Sequence, residues 1–206
     1  FNDETKYDPR SPYSASKASA DLLVQSYIST YDFPALITRC SNNYGPYQFP
    51  EKLIPLTIRN ILNGIKIPIY GDGKNIRDWI YVLDHCSAIQ SLIDIKESHE
   101  VYNIGADAEI TNIKLVKLII NQIRVAMENE SALREYLKIP LSEVDDNLIS
   151  FVSDRLGHDR RYAMNSTKLT KKTKWCPSIK FENGLDKTIH WYLDNSVWLQ
   201  SVTSKK

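Results

Sequence analysis

The sequence predicts an α/β fold in which a mostly parallel sheet is covered by helices. The chain has 206 residues, of which 42% are hydrophobic and 25% charged, so it can bury a sizeable core in one lobe or two. Segments typical of strands alternate along it with segments typical of helices. Such alternation favours parallel pairing, because consecutive parallel strands need a connection about as long as a helix.

The first half of the sequence is predicted to form two helices and three extended segments. A long helix begins at Ser11, and its apolar residues recur at spacings of three and four, which predicts one buried face. That face would contain Ala20, Leu23, Val24, Tyr27, Ile28 and Tyr31. The segment "FPALITRC" predicts a buried strand, and "LIPLTIRNILNG" predicts a helix that ends at Gly64. Two extended segments then flank the turn at Gly71 and Gly73.

The second half continues the alternation. Asp84 is a candidate cap for a helix through "HCSAIQSLIDI", and "EVYNIG" predicts a strand. The segment "NIKLVKLIINQIRVAMEN" predicts an amphipathic helix with Leu115, Leu118, Ile119 and Ile123 facing inward. Polar residues 130–147 predict a loop or a mobile insert. "LISFVSDR" predicts a strand, and "FENGLDKTIHWYLDNSVW" a single closing helix.

Charge and cysteine content limit the partners of the chain. Lysine and arginine number 26 against 25 aspartates and glutamates, a formal net charge of +1, so we expect neither a nucleic acid nor a membrane surface as a partner. Cys40, Cys86 and Cys176 form no CxxC pair and fit no metal-ligand spacing, so no metal site is predicted. Isolated cysteines and short apolar runs indicate a reducing, cytoplasmic setting.

A tyrosine and a lysine lie four residues apart at the start of the first helix. In the segment from Tyr13 to Lys17, this spacing places the phenol and the ammonium on one helix face. Making a phenolate available at neutral pH requires about 4 kcal/mol. A lysine about 4 Å away supplies roughly that energy at an effective dielectric constant of about 20, and the helix N-terminus adds ~0.3–1 kcal/mol. The pair suits a general base, although a bare YxxxK spacing also arises by chance.

Further blocks follow "SPYSASK" in a defined order. They are "TRCSNNYGPYQFPEKLIP", "PIYGDGKNIRDWIYVLDH", "VYNIG" and "DRLGHDRRYA". In this order the blocks resemble the extended short-chain dehydrogenase/reductases and, within them, the dTDP-glucose 4,6-dehydratase family, from Ser11 to Trp198. The blocks "CSNNYGPYQFPEKLIP" and "GHDRRYA" are much more specific than YxxxK, and they separate the dehydratases from the wider superfamily.

The resemblance implies a fold and a reaction. The fold would be the C-terminal part of an extended short-chain dehydrogenase/reductase, with a partial Rossmann-type doubly wound sheet and a smaller α/β substrate-binding lobe. Residues 1–45 and 84–106 would be the remnant of the NAD-binding domain, and 46–83 and 107–206 the nucleotide-sugar lobe. The full-length parent would be a homodimeric, NAD-dependent hydro-lyase. It would convert dTDP-glucose to dTDP-4-keto-6-deoxyglucose by transient oxidation at C4 and elimination of water across C5 and C6, in deoxysugar biosynthesis.

Two parts of the family pattern are missing from the sequence. One is the glycine-rich turn that cradles the NAD pyrophosphate. The other is the Asp-Glu pair used for elimination, and Asp3-Glu4 lies too close to Tyr13 to replace it. We therefore expect the chain to be the C-terminal portion of a longer protein and to be inactive alone.

The family's functional residues map onto specific positions. Tyr13 would be the base and Lys17 its partner, and both would contact NAD together with Asn43. Arg77 would bind the diphosphate through two hydrogen bonds, and Pro68 to Tyr70 would form a slot for the thymine ring. The substrate-binding residues would be Asn42, Lys52, Leu53, Pro68, Ile69, Tyr70, Arg77, Asn112, Asp154, Arg155, Leu156, Gly157 and His158. Leu156 departs from the proline usual at its position, which questions the rigidity of that loop.

Other interpretations stay open at this point. A nucleotide-sugar epimerase would keep Tyr13 and Lys17, and a non-catalytic nucleotide-sugar binding module would keep the slot. Arg77 and Asp78 could form a surface ion pair of little energetic value. The histidines His85 and His190 are more typical of packing residues than of ligands.

Overall fold

The computed structural model describes residues 1–95 and 98–203, which divide into two compact units. Unit 1 comprises Phe1–Asn43, Ile76–Glu109 and Arg155–Ser178. Unit 2 comprises Tyr44–Asn75, Ile110–Asp154 and the residues from Ile179 onward. The predicted lobes placed 76–83 and 155–178 with the substrate lobe, whereas these segments pack in unit 1. Which lobe binds which ligand stays a prediction.

Helices and strands alternate along most of the described chain. The helices are α1 (Pro12–Tyr31), α2 (Leu53–Asn63), α3 (Val82–Asp94), α4 (Asn112–Asn129), α5 (Thr167–Thr173), α6 (Phe181–Asp194) and α7 (Ser196–Thr203). The strands are β1 (Ile37–Cys40), β2 (Asn42–Tyr44), β3 (Ile67–Tyr70), β4 (Ile76–Tyr81), β5 (Val101–Ile104), β6 (Glu109–Thr111), β7 (Ile149–Val152) and β8 (Arg161–Tyr162). No helix among the described residues has the length and apolar character needed to cross a membrane.

Unit 1 is built on parallel strand pairs. Strand β1 pairs with β5 in a register that runs from Ile37 opposite Val101 to Cys40 opposite Ile104. Strand β4 pairs in parallel with β8. Helices α3 and α5 contribute to the core, which contains Ile80, Ala88, Leu92, Tyr102, Ile104, Leu169 and Trp175. Parallel pairing with helical connections confirms the predicted α/β class.

Unit 2 combines one parallel strand pair with a helical core. Strand β3 pairs with β7, and the helices α2, α4 and α6 pack on one another. Helix α2 ends as predicted at Gly64, whose φ of +65° is strained for residues with a Cβ. Helix α4 buries Leu115, Ile119 and Ile123, and Leu118 is half-buried, in agreement with its amphipathic pattern.

The exposure of helix α1 differs from the prediction. Its start is confirmed, because Ser11 accepts a hydrogen bond from the Ser14 amide and Pro12 occupies the first helical position. Its predicted apolar face is not buried by the described residues: Leu23 is 61% exposed, and Tyr27 and Tyr31 are also exposed. Periodicity identifies an apolar face, but it does not identify what covers that face.

Three further expectations need correction. The segment 130–147, predicted as a loop or a mobile insert, contains short 3₁₀ helices at Ser131–Tyr136, Leu141–Glu143 and Asp146–Leu148, and the side chains of Leu133, Val144 and Leu148 are buried. The closing helix breaks at Asn195 into α6 and α7. Helix α3 is capped at Tyr81, and Asp84 is instead buried in its first turn, where it accepts hydrogen bonds from the Ser178 amide and hydroxyl at 3.1 and 2.6 Å.

Candidate active site

Tyr13 and Lys17 share one face of the first two turns of α1. The Lys17 ammonium lies 5.8 Å from the centroid of the Tyr13 ring. The Tyr13 side chain is 72% exposed, so a ligand can reach its hydroxyl. An accessible phenol can exchange a proton with a ligand hydroxyl, and the ammonium on the same helix face can hold a second hydroxyl of that ligand.

A hydrogen-bonded group of side chains lies where β1 leads into β2. His85 Nδ1 and Asn43 Oδ1 are 2.8 Å apart. Because an amide oxygen only accepts, Nδ1 carries the ring proton. The Asn43 amide nitrogen donates to the Ser41 carbonyl at 3.2 Å and to Cys40 Sγ at 3.4 Å. Asn43 is therefore held at both ends of its carboxamide.

Sequence reasoning missed the role of His85. Burial lowers the pKa of His85 and raises the pKa of the Cys40 thiol. Within the described residues, the buried Nε2 atom of His85 has no hydrogen-bond partner. His85 does more than pack, because it fixes the carboxamide of a predicted cofactor-binding residue. The two residues are 42 positions apart, and no sequence motif joins them.

Tyr162 lies on β8 in the same unit. Its hydroxyl donates to the Cys40 carbonyl at 3.4 Å. Burial is the main cause that raises the pKa of Tyr162 to about 12, and the nearby Asp159 carboxylate adds to it. Its hydroxyl is a hydrogen-bond donor at neutral pH, and the contact holds the end of β1 just before Ser41 and β2.

Arg77 lies on β4 and is half-buried. Its Nη1 group donates to the Ile76 carbonyl at 2.7 Å. The alternative of a surface ion pair with Asp78 is wrong, because Asp78 is fully buried. The Asp78 carboxylate accepts hydrogen bonds from the Ala106 and Ala108 amides at 3.2 and 2.9 Å. Asp78 thus holds the loop after β5.

The predicted loop residues from Arg155 to Gly157 are exposed in unit 1, and His158 is half-buried. Leu156 is 99% exposed, so it does not anchor the loop to the core. Gly157 has a φ of +68°, and a Cβ there would lie 2.6 Å from the Arg10 carbonyl oxygen. The turn therefore requires glycine, and it brings residues 155–158 next to the segment that precedes α1.

The unit 2 residues lie on three elements. Lys52 is the N-cap of α2 and Leu53 its first residue, and Lys52 Nζ lies 3.2 Å from Glu51 Oε1. On β3, Ile69 is buried while Pro68 and Tyr70 are half-buried. Successive strand side chains point to opposite faces, so Pro68 and Tyr70 share the accessible face and Ile69 faces the core.

Asn112 and Asp154 complete the predicted set in unit 2. Asn112 is the first residue of α4, and its buried Oδ1 atom has no partner among the described residues. An unpartnered buried oxygen is costly, which is consistent with a ligand donor at this position. A Cβ on Gly71 would lie 2.9 Å from Asp154 Oδ2, so the turn after β3 allows this carboxylate to approach closely.

The two units thus divide the predicted residues into two groups. Unit 1 contains Tyr13, Lys17, Asn42, Asn43, Arg77, Arg155, Leu156, Gly157 and His158. Unit 2 contains Lys52, Leu53, Pro68, Ile69, Tyr70, Asn112 and Asp154.

Comparison with known proteins agrees with the sequence blocks and the fold. The chain is 47% identical over 203 residues to dTDP-glucose 4,6-dehydratase of Neisseria meningitidis serogroup B, covering 98% of this chain and 55% of that protein. The crystal structure of dTDP-glucose 4,6-dehydratase from Bacillus anthracis in complex with NAD aligns with a TM-score of 0.84 and 44% identity, covering 98% of this chain and 58% of that one. DesIV, a dTDP-glucose 4,6-dehydratase from Streptomyces venezuelae crystallised with NAD bound, aligns with a TM-score of 0.86 and 36% identity, covering 98% and 57%.

These matches bear on both the family and the extent of the chain. The chain spans about half the length of the curated relatives that it matches. Its predicted fold class and its predicted resemblance are confirmed. Residues 1–188 match the family model described as GDP-mannose 4,6 dehydratase. The chain therefore belongs to the GDP-mannose 4,6-dehydratase family.

Proposed function

We propose that the protein containing this chain is an NAD-dependent hydro-lyase that converts dTDP-glucose to dTDP-4-keto-6-deoxyglucose and water. The observation that carries the proposal is the exposed Tyr13–Lys17 pair on α1, with the Lys17 ammonium 5.8 Å from the Tyr13 ring centroid. The pair occurs in a chain whose similarity to dTDP-glucose 4,6-dehydratases extends over nearly its whole length. The product belongs to deoxysugar biosynthesis.

Unit 1 would perform the oxidation step. Tyr13 would accept the proton of the sugar C4 hydroxyl, and Lys17 would stabilise the phenolate and hold a ribose hydroxyl of the cofactor. NAD, when bound, supplies the hydride acceptor. The exposed ammonium and phenol fit such a group, because both can reach ribose hydroxyls. Asn43, held by His85, would present a fixed edge to the nicotinamide end.

Each unit contains residues that the family resemblance assigns to the nucleotide sugar. Lys52 and the half-buried Arg77 would neutralise the diphosphate, for which a guanidinium is suited because it can bind two oxygens at once. Pro68 and Tyr70, on the accessible face of β3, would contact the thymine ring. Asn42, Leu53, Asn112 and residues 154–158 are proposed to complete the site, and Ile69, whose side chain faces the core, would support the face of β3 that carries Pro68 and Tyr70.

Elimination requires acids that this chain does not supply in the expected place. Asp3 is not a candidate, because its Oδ1 atom already accepts a hydrogen bond from the Asn103 amide at 3.0 Å. We propose that the chain alone is inactive and that its parent is a cytoplasmic homodimer. Residues 1–45 and 84–106 would serve the cofactor, and 46–83 and 107–206 the nucleotide sugar.

Calorimetric titration with dTDP, UDP and NAD in parallel tests the proposal. We expect dTDP to bind this chain more tightly than UDP, with little or no NAD binding, because the glycine-rich turn is not part of the sequence. Preference for UDP would favour a nucleotide-sugar epimerase. If the protein in its natural full length bound none of the three, the proposed function would be wrong.

A further inference from the structure

A cluster of aromatic side chains in unit 2 packs against the loop between β2 and α2. The Tyr47 ring centroid lies 4.6 Å from that of Trp191 and 5.5 Å from that of Trp198. The rings of Trp191 and Trp198 lie 5.2 Å apart. The hydroxyl of Tyr192 donates to the Gln48 carbonyl at 2.5 Å. We call Trp191, Tyr192 and Trp198 the aromatic clamp.

The clamp holds the loop at consecutive residues. Tyr47 has a φ of +61°, a left-handed backbone that costs a non-glycine residue about 1 kcal/mol or more. Its side chain is 67% exposed, so burial of Tyr47 alone does not account for this conformation. Contact of the Tyr47 ring with the two indole rings offsets this cost, because aromatic pairs at these separations contribute about 0.5–1.5 kcal/mol each.

The Tyr192 hydroxyl adds a directional contact. Tyr192 is fully buried, and a buried hydroxyl is costly unless it is hydrogen-bonded. A phenylalanine would fill the same space without that requirement. The hydroxyl instead donates to the carbonyl of Gln48, the residue directly after the strained Tyr47. Burial raises the pKa of Tyr192, so this group remains a donor at physiological pH.

The loop leads directly to Lys52. The Lys52 amide donates to the Phe49 carbonyl at 3.1 Å, and the Lys52 carbonyl accepts from the Leu56 amide at 2.8 Å. Lys52 is therefore fixed between the clamped loop and the first turn of α2. That turn contains no acidic residue, so its free amides favour an anion. The Lys52 ammonium lies 3.2 Å from Glu51 Oε1 in an exposed ion pair of little energetic value, which a phosphate can replace.

We propose that Tyr192, Trp191 and Trp198 are positioning residues for the diphosphate of the nucleotide sugar. They fix the loop at Tyr47 and Gln48, and through it the placement of Lys52 and the N-terminus of α2. The inference rests on the proposed function, because it takes Lys52 as a diphosphate contact. Removal of the clamp should weaken recognition of the phosphates while leaving recognition of the nucleoside intact.

The test compares dTDP with thymidine, which lacks the phosphates, on the protein in its natural full length. Tyr192→Phe removes only the hydroxyl, and we expect it to weaken dTDP binding about 3- to 10-fold, as the loss of one hydrogen bond predicts, with thymidine binding unchanged. Its dTDP affinity should also depend less on salt concentration, since an ionic contact is loosened. Tyr136→Phe, also in unit 2, is the matched control and should change neither affinity.

A second pair of variants tests the ring contacts. Trp198→Leu should reproduce the selective loss of dTDP affinity, and Trp198→Phe should restore most of it because the ring contact with Tyr47 is retained. Two results would overturn the positioning role and leave the proposed function standing. One is an equal loss of affinity for dTDP and for thymidine. The other is an unchanged dTDP affinity in both Tyr192→Phe and Trp198→Leu. Failure of the unaltered protein to bind dTDP would instead remove the proposed function, and this inference with it.

Discussion

His85 donates its Nδ1 proton to the Oδ1 atom of Asn43 across 2.8 Å, and the buried Nε2 atom on the other side of the ring carries no proton. The imidazole is therefore fixed in one tautomer. Protonation of Nε2 would place a charge in a buried position, which is the cause of the lowered pKa of His85.

A pH dependence of stability follows from this pair. The folded state holds the His85 pKa below its unfolded value of about 6.5, so the unfolded chain binds more protons at acid pH. The stability contributed by neutral His85 is complete above that value and is lost as pH falls toward the folded-state pKa. Urea denaturation should show a smaller loss of unfolding free energy between pH 7.5 and 5.5 for His85→Gln than for the unaltered chain. An equal loss in both would contradict the assignment.

Tyr13→Phe should abolish turnover without loss of substrate affinity. The ring and its contact with Lys17 remain, but the proton acceptor is gone, so kcat should fall by about 10²–10⁴-fold. Steady-state kinetics on the full-length protein, combined with dTDP titration, separates the two effects. Tyr27→Phe, an exposed tyrosine on the same helix, serves as the control. A kcat within a few-fold of normal for Tyr13→Phe would exclude Tyr13 as the base.

Asp84→Ala should strongly destabilise unit 1. The buried carboxylate accepts both the amide and the hydroxyl of Ser178, and its removal leaves both donors unpaired. We expect a loss of about 2–4 kcal/mol in the free energy of unfolding, measured by urea denaturation. Asp94→Ala, at the exposed end of the same helix, should cost under about 1 kcal/mol. Similar losses for the two variants would show that burial of Asp84 has little energetic weight.

Val144→Ala tests whether residues 131–148 are anchored. Val144 is fully buried within a polar segment, and its truncation leaves a cavity that should cost about 1–3 kcal/mol. Cleavage by a protease within this segment should accelerate accordingly. Glu143→Ala changes the exposed neighbour and should leave the cleavage rate unaltered. If cleavage were already fast in the unaltered chain and did not change, the segment would not be anchored through Val144.

Local signals predicted most elements, and they were least informative where a partner in space decides the outcome. The spacing of Leu115, Ile119 and Ile123 specifies a buried helix face by itself, and Gly64 marks a helix end because few other residues adopt its backbone. By contrast, Leu23 and Tyr27 form an apolar face that the described residues leave exposed.

The candidate site shows the same division. The positions of Tyr13 and Lys17 were predictable because helix geometry alone places them on one face. The His85–Asn43 contact was not, since it depends on how α3 packs against the start of β2. The buried anchors in 131–148 were also missed, because single apolar residues in a polar segment have no periodicity to detect.

The interleaved segments of the two units have a consequence for synthesis on the ribosome. Unit 1 lacks strand β8 and helix α5 until residue 173 has been made, and unit 2 lacks α6 until residue 194. Strand β1 must also wait for β5, its partner some sixty residues later. Each unit is therefore assembled from three segments, and any stretch of the chain that spans one complete unit also includes segments of the other. The segments of each unit that are made first should therefore wait without their partners, and their unpaired strand edges stay exposed until those partners are made.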